Sequence, residues 1–558
     1  MIPSILMKDG YKADHRRQYP EGTEFIYANF TPRGTRVDGC EAVVVFGIQY
    51  MLKKFFVEEF NKTFFERPKE QVLEEYKHVM DGYLGEDMIN TDHLGELHDL
   101  GFLPLHIKAL PEGTRCPLKV PILTVINTDP RFFWLTNMLE TLISTTLWHP
   151  ITSATTADRY RAMFDKYAIE TGADGGFVPF QGHDFSMRGL CGVEAATVSA
   201  AAHLTSFVGS DTIPAIPFLQ DYYNATGLIA ASVPATEHSV MCLGEKDTEI
   251  ETFKRLINEV YPSGIVSIVS DTWDFWEVVT GFLPTLKDDI MARDGKVVIR
   301  PDSGDPVHII CGTLQPITIE LDGDEEWGAS VYEYMYDWMI ENTDHGEHGG
   351  DVTMHFNTPD GVREVTFEPD WNRHDKKYYF MDNYGDWEDY LTVVDATNQS
   401  PEQKGLIQCL WDTFGGTVNK EGYKVLDPHI GAIYGDSITY ERADTILKRL
   451  KDAGFSSENI VFGIGSFTYQ YVTRDTHCFA MKATLGIVNG EDRAIFKDPK
   501  TDDGMKKSAR GYLRVSDDLT LTDDVSYHEE TNGALRTVFL NGSIYEETTL
   551  DEVRGRLR

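Results

Sequence analysis

Positive charge is scarce in this chain. Lys and Arg number 51 against 89 Asp and Glu, a formal net charge of −38 over 558 residues. So acidic a protein repels polyanions at long range, which argues against nucleic acid or an anionic membrane as its main partner. A phosphorylated ligand would require basic groups gathered in one place. Cysteine is also sparse: seven residues, an odd number with no Cys-x-x-Cys pair, which speaks for reduced thiols and against a disulfide framework. The start, Met1 to Asp9, lacks a basic n-region and a long apolar core, so it does not read as a signal peptide. The most apolar helix candidate, Phe132 to Trp148, contains Glu140 and is too short and polar to span a bilayer. These absences imply a cytoplasmic protein. Short catalytic signatures are missing too: no Walker A loop, no Gly-x-Ser-x-Gly elbow and no His-Glu-x-x-His.

Apolar material is plentiful. At 41% hydrophobic, with 30 Phe, 26 Tyr and 9 Trp, the chain can bury large cores, and its length suits two or three domains. Its organising stretch is Val297-Val298-Ile299-Arg300-Pro301-Asp302-Ser303-Gly304-Asp305-Pro306, a β-branched run that stops at a cation, a proline, a carboxylate and a glycine. A buried strand opening into a ligand loop reads this way. Ile265 to Asp271, Ala432 to Ser437 and Asn459 to Ser466 repeat the design. Four strands delivering Asp, Gly, Ser and Arg to their C-terminal ends predict an irregular α/β barrel with its active site on that face.

The rest of the chain supplies the surroundings. Residues 1–150 mix helical spacing with strands at Glu24 to Phe30, Leu105 to Leu110 and Val120 to Ile126, which suggests an α+β domain. From Ile151 helix and strand alternate, placing the barrel domain at 151–479; Ala432 to Ser466 reads as one complete βαβ unit. Residues 311–403 break the rhythm and read as an acidic, β-rich insertion, with a hairpin around Pro359-Asp360-Gly361. Within it, His345-Gly346-Glu347-His348 reads as a solvated loop, since no third metal ligand has a recognisable spacing. Residues 480–558 complete the α+β domain, with a hairpin turning on Asn541-Gly542 and a last helix from Leu550.

Composition and spacing reach a barrel that binds a phosphorylated small molecule, but not a reaction. Ten ordered motifs go further. Asp9-x-Tyr11-Lys12, His183-Asp184-Phe185-x-x-Arg188-Gly189, Gly209-Ser210-Asp211-Thr212 and Ser232-Val233-Pro234-Ala235-x-Glu237-His238-Ser239 come first. Val269-Ser270-Asp271, Ile299-Arg300-Pro301-Asp302-Ser303-Gly304, Gly435-Asp436, Gly463-x-Gly465, Thr473-Arg474-Asp475 and Phe496-Lys497-Asp498-Pro499 follow. Together they resemble the nicotinate/nicotinamide phosphoribosyltransferase family over nearly the whole chain apart from the insertion.

The resemblance implies a homodimeric type II phosphoribosyltransferase with shared active sites. Such an enzyme joins nicotinamide to phosphoribosyl pyrophosphate, giving the mononucleotide and pyrophosphate in NAD salvage, with coupled ATP hydrolysis and Mg²⁺; the sister reading takes nicotinate. It implies that Phe185 and the partner subunit's Tyr11 sandwich the pyridine ring, and that Ser267 joins the substrate site. Asp302 and Asp436 would hold ribose hydroxyls, and Arg188 and Arg300 the pyrophosphate and amide. Asp271 and Asp302 would reach the metal; Gly435, Gly465, Ser466 and Arg474 would cradle the 5′-phosphate. Arg33, Lys482 and Lys497 would reach across the dimer interface. Lys506, Lys507 and Arg510 would either add to this positive pocket or form a solvated surface run. His238, beside Glu237, corresponds to the family's phosphorylated histidine. Asp211 matches the position facing the amide: an ionised carboxylate only accepts hydrogen bonds, so it suits the NH₂ of nicotinamide and opposes nicotinate, unless it merely caps a turn.

Overall fold

The computed structural model describes residues 2–313, 399–435, 438–496 and 509–558, together with the backbone of five strands between Val352 and Val393. The chain forms two compact units. The first comprises Met1–Ala162, Gly182–Ser232 and Gly465–Arg558, the second Met163–Gln181 and Val233–Ile464. The boundaries at 150 and 479 follow a change of sequence rhythm; the compact units follow spatial neighbours, and take Gly182–Ser232 with the N-terminal part.

The first unit is organised by a seven-stranded antiparallel sheet in the order Glu491–Ala494, Phe479–Val488, Thr23–Pro32, Leu123–Asn127, Leu105–Ala109, Arg536–Leu540, Ser543–Ile544. N- and C-terminal strands interleave, so this α+β unit is indeed built from both ends of the chain. The central Thr23–Pro32 strand buries Ile26, Tyr27, Ala28 and Phe30 in succession because both of its faces are covered. Phe30 stacks on Phe479 with ring centroids 5.3 Å apart, an arrangement worth about 0.5–1.5 kcal/mol beyond the buried area. Asn541 and Gly542 both have positive φ, 49° and 84°, as a two-residue type I′ hairpin loop requires, and Leu540 pairs with Ser543 across it. The closing helix Leu550–Leu557 starts at a capping box in which the Glu552 N–H donates to Thr549 Oγ1 and Glu552 Oε2 accepts from the Thr549 N–H.

In the second unit four parallel strands lie side by side in the order Ile460–Ile464, Ile430–Tyr434, Asp294–Arg300, Ser263–Val269. These are the four segments that the sequence pattern singles out, and they form a parallel half-barrel. Val266, Ile268, Val297, Ile299, Ile430, Ile460 and Phe462 are buried, the expected state of a parallel sheet covered on both faces. The helix Tyr440–Asp452, capped by Thr439 Oγ1, closes the predicted βαβ unit. In the insertion Val352–Thr358 pairs antiparallel with Gly361–Phe367, which in turn pairs with Leu391–Val393, as the hairpin signal predicts; His345 to His348 lie outside the described residues. All seven cysteines are free thiols. No helix of the described residues is long and apolar enough to cross a membrane.

Candidate active site

In the first unit the site is built on one buried carboxylate. Gly182–Asp184 pairs in parallel with Gly209–Ser210. Fully buried Asp184 accepts from the Ser186 N–H (3.0 Å) and from the hydroxyls of Ser186 (2.6 Å), Ser210 (2.9 Å) and Thr212 (2.7 Å). Its backbone oxygen accepts from the Asp211 N–H at 3.0 Å. A buried charge is tolerated when it is this fully hydrogen-bonded. The network ties two sequence motifs together and fixes the loops that carry Phe185 and Asp211. Asp211 is half-exposed, with its side chain at 45% of full accessibility. Its Oδ1 accepts from His183 Nε2 at 2.9 Å and from Ser232 Oγ at 2.6 Å. The His183 ring also lies 4.7 Å, centroid to centroid, from that of Phe185.

Beneath these loops His203 is fully buried; its Nδ1 lies 2.7 Å from the Tyr469 hydroxyl, and its Nε2 points to the carbonyls of Gly182 (3.3 Å) and Gly209 (3.1 Å). Burial pushes its pKa down to about 4. The unfolded chain, with an ordinary histidine near 6.5, therefore binds the proton more tightly. Stability from this group is complete above pH ~6.5 and is lost as pH falls from ~6.5 towards ~4. The unfolding midpoint should drop across that window, and His203→Gln should flatten the dependence in a series of thermal melts at stepped pH.

Arg188 is exposed on the short turn Met187–Gly189. A Cβ on Gly189 would stand 2.1 Å from Ser466 Oγ, so only glycine allows this turn to lie against Ser466. The Cys191 N–H then donates to Gln470 Oε1 at 3.0 Å. Arg188 is thereby brought beside Gly465 and Ser466, and a Cβ at Gly465 would meet nothing within 4 Å. Arg33 and Arg474 gather near one end of the Thr23–Pro32/Phe479–Val488 pair: the Arg33 N–H donates to Cys478 O, and Arg474 pairs with Asp475 at 3.0 Å. Lys482 stands opposite Asn29 in that pair and is exposed. Arg510 pairs with Asp524 at 2.8 Å on the surface.

Tyr11 lies on the short turn Gly10–Ala13. Its segment is pinned by Thr141 Oγ1 donating to Asp9 (2.6 Å), by the ion pair between buried Lys12 and half-buried Glu140 (3.0 Å) and by His15 against Asn137 (2.7 Å). The Tyr11 ring nevertheless remains 61% exposed. Asp436, Lys497, Lys506 and Lys507 lie outside the described residues.

The second unit gathers the other predicted residues. Pro234 to Thr236 joins the edge of the Ser263–Val269 strand: Ser267 N–H donates to Pro234 O (2.9 Å), Thr236 N–H to Ser267 O (3.0 Å), and Val269 N–H to Thr236 Oγ1 (2.9 Å). The chain therefore delivers Glu237 and exposed His238 to the strand tip. His238 Nε2 lies 3.3 Å from Asp271 Oδ1. Asp271, its side chain only 4% exposed, accepts at Oδ2 from the Asp302 N–H (2.9 Å) and Ser303 Oγ (2.6 Å). Arg300 Nη2 donates to Thr236 O, and Glu237 accepts from Ser239 Oγ. Tyr434 supports the loop from below, its hydroxyl donating to Gly304 O at 2.8 Å. Gly435 has no room for a side chain, since a Cβ would stand 2.6 Å from Asp302 Oδ1. Ser267 Oγ is buried without a partner among the described residues. Among those residues no group of three or more His, Cys, Asp or Glu could enclose a metal ion.

Parallel strands with Asp and Arg at their C-terminal tips, and His238 delivered to the same end, define the α/β class in which ligands bind at that face. The comparisons with known proteins narrow the class. The profile of the nicotinate phosphoribosyltransferase (NAPRTase) family matches residues 180–337 and 385–543, and that of the nicotinamide phosphoribosyltransferase N-terminal domain matches residues 4–107. A nicotinamide phosphoribosyltransferase of Acinetobacter baylyi is 47% identical over 563 residues, covering 98% of this chain and 96% of that protein. One from Mycoplasma pneumoniae is 31% identical, covering 90% and 93%, and one from Xanthomonas campestris 29% identical, covering 99% and 97%. The chain belongs to the nicotinate phosphoribosyltransferase family and is a pentosyl-transferring enzyme.

Proposed function

We propose that this enzyme joins nicotinamide to phosphoribosyl pyrophosphate, forming nicotinamide mononucleotide and pyrophosphate for NAD salvage, with ATP hydrolysis coupled through phosphorylation of His238. The observation that carries the choice of base is Asp211, a carboxylate beside Phe185 whose Oδ1 accepts from both His183 and Ser232. An anion so held accepts from the carboxamide NH₂ and repels the carboxylate of nicotinate. Names borne by relatives at 29–47% identity agree with this reading.

The pyridine nitrogen attacks C1′ with its own lone pair, the bond from C1′ to the pyrophosphate oxygen breaks, and its electron pair leaves with pyrophosphate. No general base is needed. The residues instead stabilise an oxocarbenium-like ribose and a departing polyanion. Phe185 and the partner subunit's Tyr11 stack on the base in a homodimer; the fixed, outward Tyr11 ring suits that role. Asp302 and Asp436 hold ribose hydroxyls, Arg188 and Arg300 the pyrophosphate and amide, and Ser267 lends a hydroxyl to the substrate. Gly435, Gly465, Ser466 and Arg474 take the 5′-phosphate; Arg33, Lys482 and Lys497 add cations from the other subunit.

Magnesium needs near-octahedral oxygen ligands and usually keeps several waters. The donors would suit an ion held mainly by water and substrate oxygens, with Asp302 supplying a carboxylate. Asp271 serves better as the strut for Asp302, because both its oxygens already face protein groups. A bound ion supplies charge neutralisation of the leaving pyrophosphate.

The test is mononucleotide formation by the purified chain from nicotinamide or nicotinate, with phosphoribosyl pyrophosphate and Mg²⁺, with and without ATP. Product from nicotinamide, increased by ATP, is expected. Turnover of nicotinate alone would refute the choice of base, and indifference to ATP would refute the coupling.

A further inference from the structure

We infer that His183 is a specificity-positioning residue: by donating from Nε2 to Asp211 Oδ1 it holds the carboxylate that separates nicotinamide from nicotinate. The inference rests on the reading of Asp211 given above and deepens it. An ionised carboxylate cannot donate, so the 2.9 Å contact requires the hydrogen on His183 Nε2. The ring has little freedom to turn away. Its side chain is 12% exposed, and it contacts the Phe185 ring at 4.7 Å. On the opposite side a Cβ on Gly209 would stand 2.8 Å from His183 Nδ1, so the imidazole lies directly against the Gly209 backbone. His183 and Gly209 are paired residues of the short parallel ladder.

The same imidazole thus touches the ring platform and the amide acceptor. Ser232 Oγ donates to the same Asp211 oxygen at 2.6 Å. Two converging donors on Oδ1 set the plane of the carboxylate group. Without the Nε2–H donor the hold on Oδ1 weakens, and with it the aim of the half-exposed carboxylate at the carboxamide.

The experiment compares kcat/KM for nicotinamide and for nicotinate in the full-length enzyme, its His183→Leu and His183→Gln variants, and Asp211→Ser alone and combined with His183→Leu. One hydrogen bond to a charged group corresponds to about a tenfold effect. In His183→Leu the nicotinamide-to-nicotinate ratio should fall by about that factor, carried by KM for nicotinamide, with KM for phosphoribosyl pyrophosphate unchanged. His183→Gln, whose amide N–H reaches the place of Nε2–H, should keep most of the ratio. In the Asp211→Ser background the leucine substitution should no longer move it. If His183→Leu fails to fold, His183→Asn replaces it, because its amide stops at the Nδ1 position. An unchanged ratio in the leucine or asparagine variant overturns the inference while leaving the choice of base standing. A wild-type enzyme that does not prefer nicotinamide overturns both, and that failure is visible before any variant is made.

Discussion

Asp211→Ser should raise the use of nicotinate relative to nicotinamide by about a hundredfold. Two unit negative charges near 4 Å oppose each other by about 4 kcal/mol at an effective dielectric of 20, or roughly a thousandfold in affinity. The half-exposed Asp211 side chain warrants a discount for solvent. Serine removes the charge yet offers a hydroxyl that can donate to a carboxylate or accept from an amide. Nicotinate should therefore gain by losing repulsion, while nicotinamide loses only one charge-assisted bond. Initial rates with each base at matched concentrations decide the matter. If the two values of kcat/KM keep their wild-type ratio, Asp211 serves only its turn.

What could be read from sequence was what periodicity and turn chemistry encode locally. The apolar runs ending at Asp271, Arg300, Tyr434 and Gly465 marked the strands of the half-barrel, because a strand covered on both faces needs uninterrupted apolar residues. Asn541-Gly542 marked its hairpin, because few other pairs tolerate two positive φ values. The site residues were nameable through the ordered motifs, but their connections were not. Asp184, His183 and Ser232 lie within those motifs, yet their bonds span 21 to 28 residues and leave no periodic trace. Asp184 looks like a loop acid, and only burial by three hydroxyls and a backbone N–H shows it to be the peg of the site. Thr236 and Ser303 were given no role for the same reason: a small hydroxyl carries no strand or helix signal. Asp271, expected to reach a metal, has its oxygens turned to His238, Asp302 and Ser303, contacts with neighbours 31 to 33 residues away that no local pattern announces.

His238→Ala should reduce ATP hydrolysis to background, a loss of about a thousandfold or more, because the variant has no nucleophile to accept the phosphoryl group. A slower, ATP-independent formation of the mononucleotide should survive. The neighbouring carboxylate sharpens the expectation. When Asp271 accepts the Nε2–H of His238, the neutral ring keeps its lone pair on Nδ1, so under the proposed coupling Nδ1 is the atom expected to attack the γ-phosphorus as ADP leaves. The contact is 3.3 Å, long for a working hydrogen bond, as such bonds often are before substrate closes the site. Asp271→Asn presents an NH₂ group either to the imidazole or to the Asp302 N–H and Ser303 Oγ, and it cannot satisfy both sides as the carboxylate does. ATP turnover should fall by about 10²–10⁴ in that variant, and KM for phosphoribosyl pyrophosphate should rise as the Asp302 loop loosens. Phosphoryl transfer followed by ³¹P NMR on denatured enzyme would separate Nδ1- from Nε2-phosphohistidine. A phosphate found on Nε2 would show that Asp271 holds its loop without directing the histidine, and ATP turnover undiminished in His238→Ala would refute His238 as the nucleophile.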